Sequence, residues 1–267
     1  MTLRFGIVVF PNVQQLDLTG PYEVLATAKG AEVELIWKDR NPVMSSTQLS
    51  LTPTATFDNC PPLDVLCIPG GGGVNALLED QAVLGFVWER AAQVRYITSV
   101  CSGALVLGAA GLLKGKRATT HWYAHDFLAE FGAVPVDERI VEDGKLITAG
   151  GVTSGIDFGL VLVARLLGQA EAETVQLTLE YAPAPPSDPA RPPRLHRPCL
   201  RRRRSGSRVR GGYARRCLRA GAMPARPQCA PTAEPAPAEW RISTLFGPCR
   251  VSAVDTPVGL CRNWLDH

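Results

Sequence analysis

Cys101 is the residue whose type and setting most favour chemistry. It lies in the segment VCSGA (100–104), between an apolar run typical of a buried strand and a pattern typical of a helix. A nucleophile on such a strand-to-helix turn is presented at the edge of a sheet, and small neighbours let the turn close. Because the N–H groups and dipole of a helix N-terminus favour an anion, this position predicts a thiol with a lowered pKa. A free cysteine is often a small core residue, but this setting favours a catalytic nucleophile.

Asp17 is the candidate for proton transfer beside that thiol. It lies in QQLDLTGP (14–21), near the expected start of a helix, where an Asp commonly serves as an N-cap. An acid–base role is the alternative. Glu23 on the same helix and His121 at the start of another helix are possible auxiliary groups, although a solvated Glu and a structural His explain them equally well.

A run of four glycines, Gly70–Gly73, follows a second apolar, strand-like segment. It lacks the Gly-Lys-Ser/Thr ending of a P-loop and the last glycine of a GxGxxG motif, so it is weak evidence for a nucleotide. The N–H groups of Gly71 and Gly72 are expected to face developing negative charge on a substrate. A tight turn with positive φ also explains the run, and both can hold together.

The other thiols of this region indicate no metal centre. Cys60 lies in a Pro-rich loop and Cys67 in the middle of an apolar run, so both are expected to be structural. No Cys-x-x-Cys pair or Cys/His cluster has zinc spacing, and neither a metal nor an organic cofactor is predicted. The start of the chain has no signal-peptide pattern, so reduced thiols and a cytoplasmic location are expected.

The elements that must position these residues alternate between strands and helices. The strands are expected at 3–10, 31–38, 63–69, 96–100 and 117–120, with a β-excursion over 43–57 and a hairpin over 139–149. The helices are expected at 18–29, 77–92, 102–113, 122–131, 156–167 and 170–181. This alternation predicts an α/β fold with a doubly wound, mostly parallel sheet covered by helices on both faces. In such sheets the site lies beyond the carboxyl ends of the strands.

A change in composition near residue 185 divides the chain. Residues 1–185 hold 12 Lys and Arg against 20 Asp and Glu, whereas 186–267 hold 16 Arg, no Lys, 5 acids and 12 Pro. We expect an α/β domain over 1–185 and a largely disordered tail over 186–267. A run of arginines suggests a nucleic-acid arm, but the absence of Lys favours the hypothesis that a frameshift replaced the native C-terminus. Nucleic acid is therefore not an expected partner. A membrane is not expected either, because no apolar stretch reaches the length of a membrane span.

Five motifs together resemble one known family. They are FPNVQQLDLTGPYEVL, PGGGG, VCSGALVLGAAGLL, ATTHW and TAGGVTSGIDFGL. Over about residues 3–182 the chain resembles the ThiJ/PfpI branch of the class I glutamine amidotransferase-like superfamily. Within that branch Asp17, together with a small hydroxyl residue after Cys101, is most similar to the isonitrile (cyclohexyl-isocyanide) hydratases.

The resemblance implies a fold, a partner and roles for three residues. It implies a flavodoxin-like domain, a homodimer, Cys101 as nucleophile on a nucleophile elbow, Asp17 as acid–base partner and Ser102 as a hydroxyl donor. In this family Thr is expected as often as Ser at the position of Ser102. Ser102 therefore keeps the hydroxyl group of such a Thr but lacks its methyl group. Proteases of the branch have His directly after the nucleophile, and Ser102 there removes the base that a peptidase needs.

The resemblance also implies an activity, which is hydration of isonitriles to N-substituted formamides without a cofactor. The small-molecule substrate is expected in an apolar pocket lined by Val152 and Ile156. One alternative is the ligand-sensing domain of an AraC-type transcriptional regulator, which would need a helix-turn-helix beyond residue 185, and 186–267 shows none. The other is a ThiJ-like stress protein or deglycase, which would use the same Cys but usually has Glu at the position of Asp17.

Overall fold

The structure is a computed structural model that describes residues 2–185. The predicted disordered tail over 186–267, and the frameshift hypothesis with it, lie outside the described residues. Among residues 2–185 no helix is long and apolar enough to cross a membrane.

The described residues contain short strands and six α-helices in alternation. The strands are β1 (Leu3–Val8), β2 (Ala31–Trp37), β3 (Val43–Met44), β4 (Ser50–Leu51), β5 (Ala55–Thr56), β6 (Val65–Ile68), β7 (Tyr96–Val100), β8 (Arg117–Ala118), β9 (Val134–Pro135), β10 (Ile140–Asp143) and β11 (Leu146–Ala149). The helices are α1 (Gln15–Thr27), α2 (Val74–Leu77), α3 (Gln81–Gln93), α4 (Gly103–Ala109), α5 (Ser154–Leu167) and α6 (Gln169–Thr178), and a 3-10 helix covers Trp122–Phe131.

Seven strands form one sheet in the order β10-β11-β7-β6-β1-β2-β5. All neighbours in it are parallel except β10 and β11, which form the predicted antiparallel hairpin. The helices pack in two groups, α1 with α5 and α6, and α2 and α3 with α4, as layers on the two faces of a sheet require. The predicted mostly parallel, flavodoxin-like α/β fold is confirmed.

The central strand β6 (VLCI) is apolar along its whole length, because helices cover both faces of the sheet. Ile7 and Val8 of β1 and Leu66 and Ile68 of β6 are completely buried. The chain direction across the sheet reverses between β1 and β6, since β2 lies on one side of β1, and β6 and β7 lie on the other. The carboxyl ends of β1, β6 and β7 are therefore neighbours at this reversal, where ligands bind in sheets of this type.

Several predicted elements differ from the structure in their bounds or in their type of helix. The predicted helix over 77–92 is interrupted, because α2 ends at Leu77 and α3 begins at Gln81 after Asp80, which caps α3 by accepting hydrogen bonds from the N–H groups of Ala82 and Val83. The first helix begins three residues before its predicted start, at Gln15, and α4 ends at Ala109. The segment Trp122–Phe131 is helical as predicted but in the 3-10 form.

Two glycine substitutions test how closely α4 packs on the sheet. A Cβ at Gly103 would lie 2.0 Å from the carbonyl oxygen of Ile68, so Gly103→Ala must push α4 away from β6. We expect it to lower the free energy of unfolding by about 3 kcal/mol or more. Gly85→Ala is the control, because a Cβ inside α3 at Gly85 meets nothing within 4 Å. There the loss of glycine flexibility should raise the free energy of unfolding by about 0.5–1 kcal/mol. Urea unfolding of both variants measures the difference, and equal effects would contradict the packing described.

Candidate active site

Cys101 lies on the turn between β7 and α4 and is held in a left-handed conformation. Its φ is +55°, which a residue with a side chain adopts only when its surroundings impose it. The surroundings are two hydrogen bonds. The Cys101 N–H donates to the carbonyl of Ala149 at 3.0 Å, and the Thr120 hydroxyl donates to the Cys101 carbonyl at 2.7 Å. The thiol is only 7% exposed, so the predicted elbow is present but is nearly closed to solvent.

Asp17 lies beside this thiol and does not cap its helix. It is the third residue of α1, the N-cap is Gln14, and Asp17 is completely buried. Of the two alternatives for Asp17, the helix cap is therefore wrong. Its Oδ2 accepts a hydrogen bond from the N–H of Gly70 at 3.0 Å, and the carboxyl interacts with the Cys101 thiol.

The loop before α1 packs directly against the glycine run, and this contact brings Asp17 to the turn after β6. The Gln14 N–H donates to the Gly70 carbonyl at 2.8 Å, and the Gly73 N–H donates to the Asn12 carbonyl at 3.1 Å. Gly71 has a φ of +130°, and a Cβ there would lie 2.3 Å from the backbone nitrogen of Gln14. The turn with positive φ that was one explanation of the run is present. Close approach of two backbones is the further reason for these glycines.

Of the two N–H groups predicted to face a substrate, that of Gly71 is engaged within the protein. The Gly71 N–H donates to the Ser102 hydroxyl oxygen at 3.1 Å, so it orients a neighbouring side chain rather than facing a substrate. Gly72 is exposed, with open space where a Cβ would be, and the role of its N–H group stays a prediction. The N–H that does reach the buried pair belongs to Gly70, the first residue of the run, whereas the sequence predicted this role for Gly71 and Gly72. Its position directly after an apolar strand was the signal that could have found it.

Ser102 interacts with the Cys101 sulfur through both its backbone and its side chain. Its backbone N–H and its hydroxyl both interact with the Cys101 sulfur in the direction that favours the thiolate, since both lower the pKa of the thiol. The hydroxyl oxygen already accepts from Gly71, which leaves the hydroxyl proton free to donate. This is the local benefit of the helix N-terminus that the sequence predicted.

Burial nevertheless reverses the predicted shift in thiol pKa. The pKa of Cys101 lies well above its usual value, first because of desolvation and then because of the charge of Asp17. Burial likewise raises the pKa of Asp17 from 3.8 to about 7, although the Cys101 thiol and the Gly70 N–H oppose the rise. The expectation of a lowered thiol pKa is wrong, because a sequence does not show how completely a turn is desolvated. At neutral pH the pair therefore contains a neutral thiol and a carboxyl that is about half protonated.

One oxygen of that carboxyl is not used by the fold. Asp17 Oδ1 is buried and has no hydrogen-bond partner of good geometry among residues 2–185. Buried acceptors are rarely left in this state, and exceptions are often functional. This oxygen can therefore give or take a proton without breaking a contact of the fold.

The structure does not join the two auxiliary candidates to this pair. Glu23 is exposed on α1, whereas Asp17 and Cys101 are buried. His121 caps the 3-10 helix, with its Nδ1 accepting from the Tyr123 N–H at 3.4 Å, and burial lowers its pKa. His121 is therefore neutral and structurally engaged at this position.

The remaining predicted residues lie in the surrounding core. Val152 and Ile156 are half-buried and pack against the hydrophobic core at the start of α5. Cys60 and Cys67 are free and buried as expected, and burial raises the pKa of Cys67 to about 12. Within residues 2–185 no group of three or more Asp, Glu, His and Cys side chains is arranged to hold a metal ion.

Comparison with known proteins gives the family that the motifs indicate. The profile of the DJ-1/PfpI family matches residues 4–165. Isonitrile hydratase of Pseudomonas putida is 60% identical over 192 residues, which cover 72% of this chain and 84% of that enzyme. The crystal structure of a ThiJ/PfpI family protein from Pseudomonas syringae superposes with a TM-score of 0.69 at 46% identity, covering 70% of this chain and 78% of that one. The resemblance in the five motifs is confirmed.

A transcriptional regulator is a more distant relative. The HTH-type transcriptional regulator GbdR of Pseudomonas aeruginosa is 28% identical over 172 residues, which cover 61% of this chain and 47% of the regulator. The chain thus corresponds to about half of that protein, at less than half the identity shared with the hydratase.

The raised pKa of Asp17 predicts a pH-dependent stability. Between pH 3.8 and about 7 the folded state retains a proton that the unfolded state has released, so stability falls as pH rises through this window. Once the pH exceeds 7 the loss from this group amounts to about 4 kcal/mol. Asp17→Asn removes this titration. The free energy of unfolding of the variant, relative to that of wild type, should therefore rise by up to this amount between about pH 4 and pH 8. Urea unfolding across that range measures it, and a difference that stays constant would show that the pKa is not raised.

Proposed function

The chain belongs to the DJ-1/PfpI family, and from that premise we propose that it hydrates isonitriles, R–N≡C, to N-substituted formamides, R–NH–CHO. The strong similarity to an isonitrile hydratase supports this activity. The single structural observation that carries it is the pair of Cys101 and Asp17, a thiol and a carboxyl that interact where solvent hardly reaches.

The burial of this pair suits the shape of an isonitrile. The thiol is 7% exposed and Asp17 is fully buried, so a bulky or branched electrophile has little access to both. An isocyano group is linear and its terminal carbon carries no substituent, so it can enter end-on. Its carbon then meets the sulfur and the carboxyl together, and the R group stays outside the narrow part of the site.

The proposed reaction begins with one proton moving within the pair. The Asp17 carboxylate takes the proton of the Cys101 thiol, which is a poor nucleophile until it is ionised. The thiolate adds to the isonitrile carbon as Asp17 returns that proton to the same carbon. The product is a thioimidate, R–N=CH–S–Cys101, and the proton has become the formyl hydrogen.

Water completes the reaction with the same carboxylate. Asp17 removes a proton from a water molecule that attacks the thioimidate carbon and passes this proton to the imine nitrogen, which gives the adduct R–NH–CH(OH)–S–Cys101. As the adduct collapses, Asp17 takes the hydroxyl proton and delivers it to the departing sulfur, so the C–S bond breaks, R–NH–CHO is released and the thiol is regenerated. One water is consumed and one formamide is formed, so atoms balance without a cofactor.

In this proposal Ser102 stabilises the sulfur anion and Gly70 stabilises the carboxylate. The N–H and hydroxyl of Ser102 act while the thiolate forms, and the Gly70 N–H holds Oδ2 so that Oδ1 handles the proton. Val152 and Ile156, at the start of α5, are proposed to contact the R group.

We also propose that the protein forms a homodimer and acts in the reducing cytoplasm. Analytical ultracentrifugation of the purified chain tests the first.

Substitution of the nucleophile gives the most direct test. Cys101→Ser should lower turnover of cyclohexyl isonitrile by more than about 10²-fold, because a neutral hydroxyl is a far poorer nucleophile than a thiolate. Cys60→Ser is the matched control, since Cys60 is a buried thiol that donates to the neighbouring Pro61 carbonyl. It should retain activity. Formamide formation is followed by chromatography, and activity of Cys101→Ser within tenfold of wild type would exclude Cys101 as the nucleophile.

The pH dependence of the rate tests the shared proton. The reaction starts from a neutral Cys101 thiol beside an ionised Asp17 carboxylate. The ionised fraction of Asp17 grows as the pH passes the pKa of this group, so kcat/KM should rise with pH through about 7. Asp17→Asn should remove this rise and lower the rate by about 10²–10⁴-fold. Initial rates from about pH 5 to pH 9 distinguish the outcomes, since an unchanged profile in Asp17→Asn would assign the titration to another group.

A further inference from the structure

Thr120 is a buried residue whose hydrogen bond reaches the backbone of the nucleophile. It follows β8, is 3% exposed, and donates its hydroxyl to the Cys101 carbonyl at 2.7 Å. The preceding N–H, that of Thr119, donates to the hydroxyl oxygen of Thr148 in β11 at 2.9 Å. The segment that carries Thr120 is thereby fixed to the same sheet that carries Cys101.

The carbonyl that Thr120 holds belongs to a peptide unit that also faces the sulfur. The Cys101 carbonyl and the Ser102 N–H are the two ends of one planar unit, and among the described residues every peptide bond is trans. In a trans unit the C=O and N–H point in opposite directions. A partner that fixes the carbonyl on one side therefore fixes the direction of the N–H on the other side, where it interacts with the Cys101 sulfur.

We propose that Thr120 is a positioning residue for the nucleophile, which sets the plane of the peptide between Cys101 and Ser102 and so aims the Ser102 N–H at the sulfur. It touches neither the substrate nor the reacting atoms and acts through this peptide. The proposal rests on the proposed function insofar as Cys101 is the nucleophile. Its consequence for thiol reactivity is nevertheless measurable without an isonitrile.

The conformation of the turn explains why this hydrogen bond matters. Cys101 has a φ of +55°, a strained conformation that persists only while its neighbours impose it. Without the Thr120 hydroxyl the Cys101 carbonyl loses the partner that holds it inside the protein, and a buried carbonyl left unpaired is strongly unfavourable. Rotation of the peptide towards another donor relieves that state, and the same rotation turns the Ser102 N–H away from the sulfur.

Three variants of the full chain separate positioning from stability. Thr120→Val has nearly the shape of Thr but lacks the hydroxyl, and Thr120→Ser keeps the hydroxyl. Thr98→Val is the matched control, because the Thr98 hydroxyl is also buried and donates to a backbone carbonyl, that of Leu66, at 3.0 Å. Thr98→Val therefore removes the same kind of hydrogen bond from the sheet without touching the peptide after Cys101.

The first readout is alkylation of Cys101 by iodoacetamide as a function of pH, followed by mass spectrometry of the peptide that contains Cys101. Thr120→Val should react about 10- to 100-fold more slowly at neutral pH, with its pH profile displaced upwards, because a misdirected donor no longer favours the thiolate. Thr120→Ser should recover most of the lost rate. Thr98→Val should follow the wild-type profile even where its melting temperature falls.

The second readout is turnover of cyclohexyl isonitrile, where Thr120→Val should lower kcat with little change in KM. A wild-type chain that alkylates readily but does not turn over isonitriles would overturn the proposed function, and the alkylation profiles would still decide the role of Thr120. If Thr120→Val does not accumulate in folded form, Thr120→Ala removes the same hydroxyl and is expected to behave alike. A wild-type alkylation profile in a folded variant without the hydroxyl would overturn the positioning role and leave Thr120 a structural residue.

Discussion

The burial of one carboxyl group is the constraint on which the site depends. Asp17 has no solvent contact, and its environment is assembled from the loops that follow three adjacent strands. The helix α1 that follows β1 carries Asp17, the loop after β6 supplies the Gly70 N–H, and the turn after β7 supplies the thiol of Cys101. The order of strands in the sheet makes these loops neighbours, so the topology determines which groups can share a proton.

The same burial that serves the chemistry opposes the stability of the fold. Desolvation raises the pKa of both Asp17 and Cys101, and a folded chain near neutral pH must hold a carboxyl that is partly ionised without water. The left-handed turn at Cys101 adds backbone strain of about 1–3 kcal/mol. Both unfavourable features fall on groups with proposed catalytic roles, whereas the neighbouring strand β6 (VLCI) is entirely apolar and buried. Functional sites commonly concentrate strain in this way.

The sequence determines the local features of this molecule more completely than its long-range contacts. The strand–Cys–helix pattern around Cys101 identified the elbow, because the strand, the turn and the helix are adjacent in the chain. The direction of the thiol pKa was wrong, because desolvation arises from elements distant in sequence. Asp17 was identified, but the sequence did not show that it lies inside the helix rather than at the N-cap. The reason is that α1 begins at Gln15, three residues before its apolar pattern begins. The hydrogen bonds of Gly70 and Thr120 were not identified, because their partners lie 53 and 19 residues away.

The glycine run illustrates how such distant contacts change the meaning of a motif. The Gly71 N–H donates to the hydroxyl oxygen of Ser102, and a serine hydroxyl has one proton of its own. With its oxygen held by Gly71, the hydroxyl of Ser102 directs that proton to the Cys101 sulfur. A threonine at this position would restrict the rotation of its side chain through its methyl group. With Ser102, the hydrogen bond from Gly71 supplies that restriction, so the glycine loop acts on the nucleophile through its neighbour.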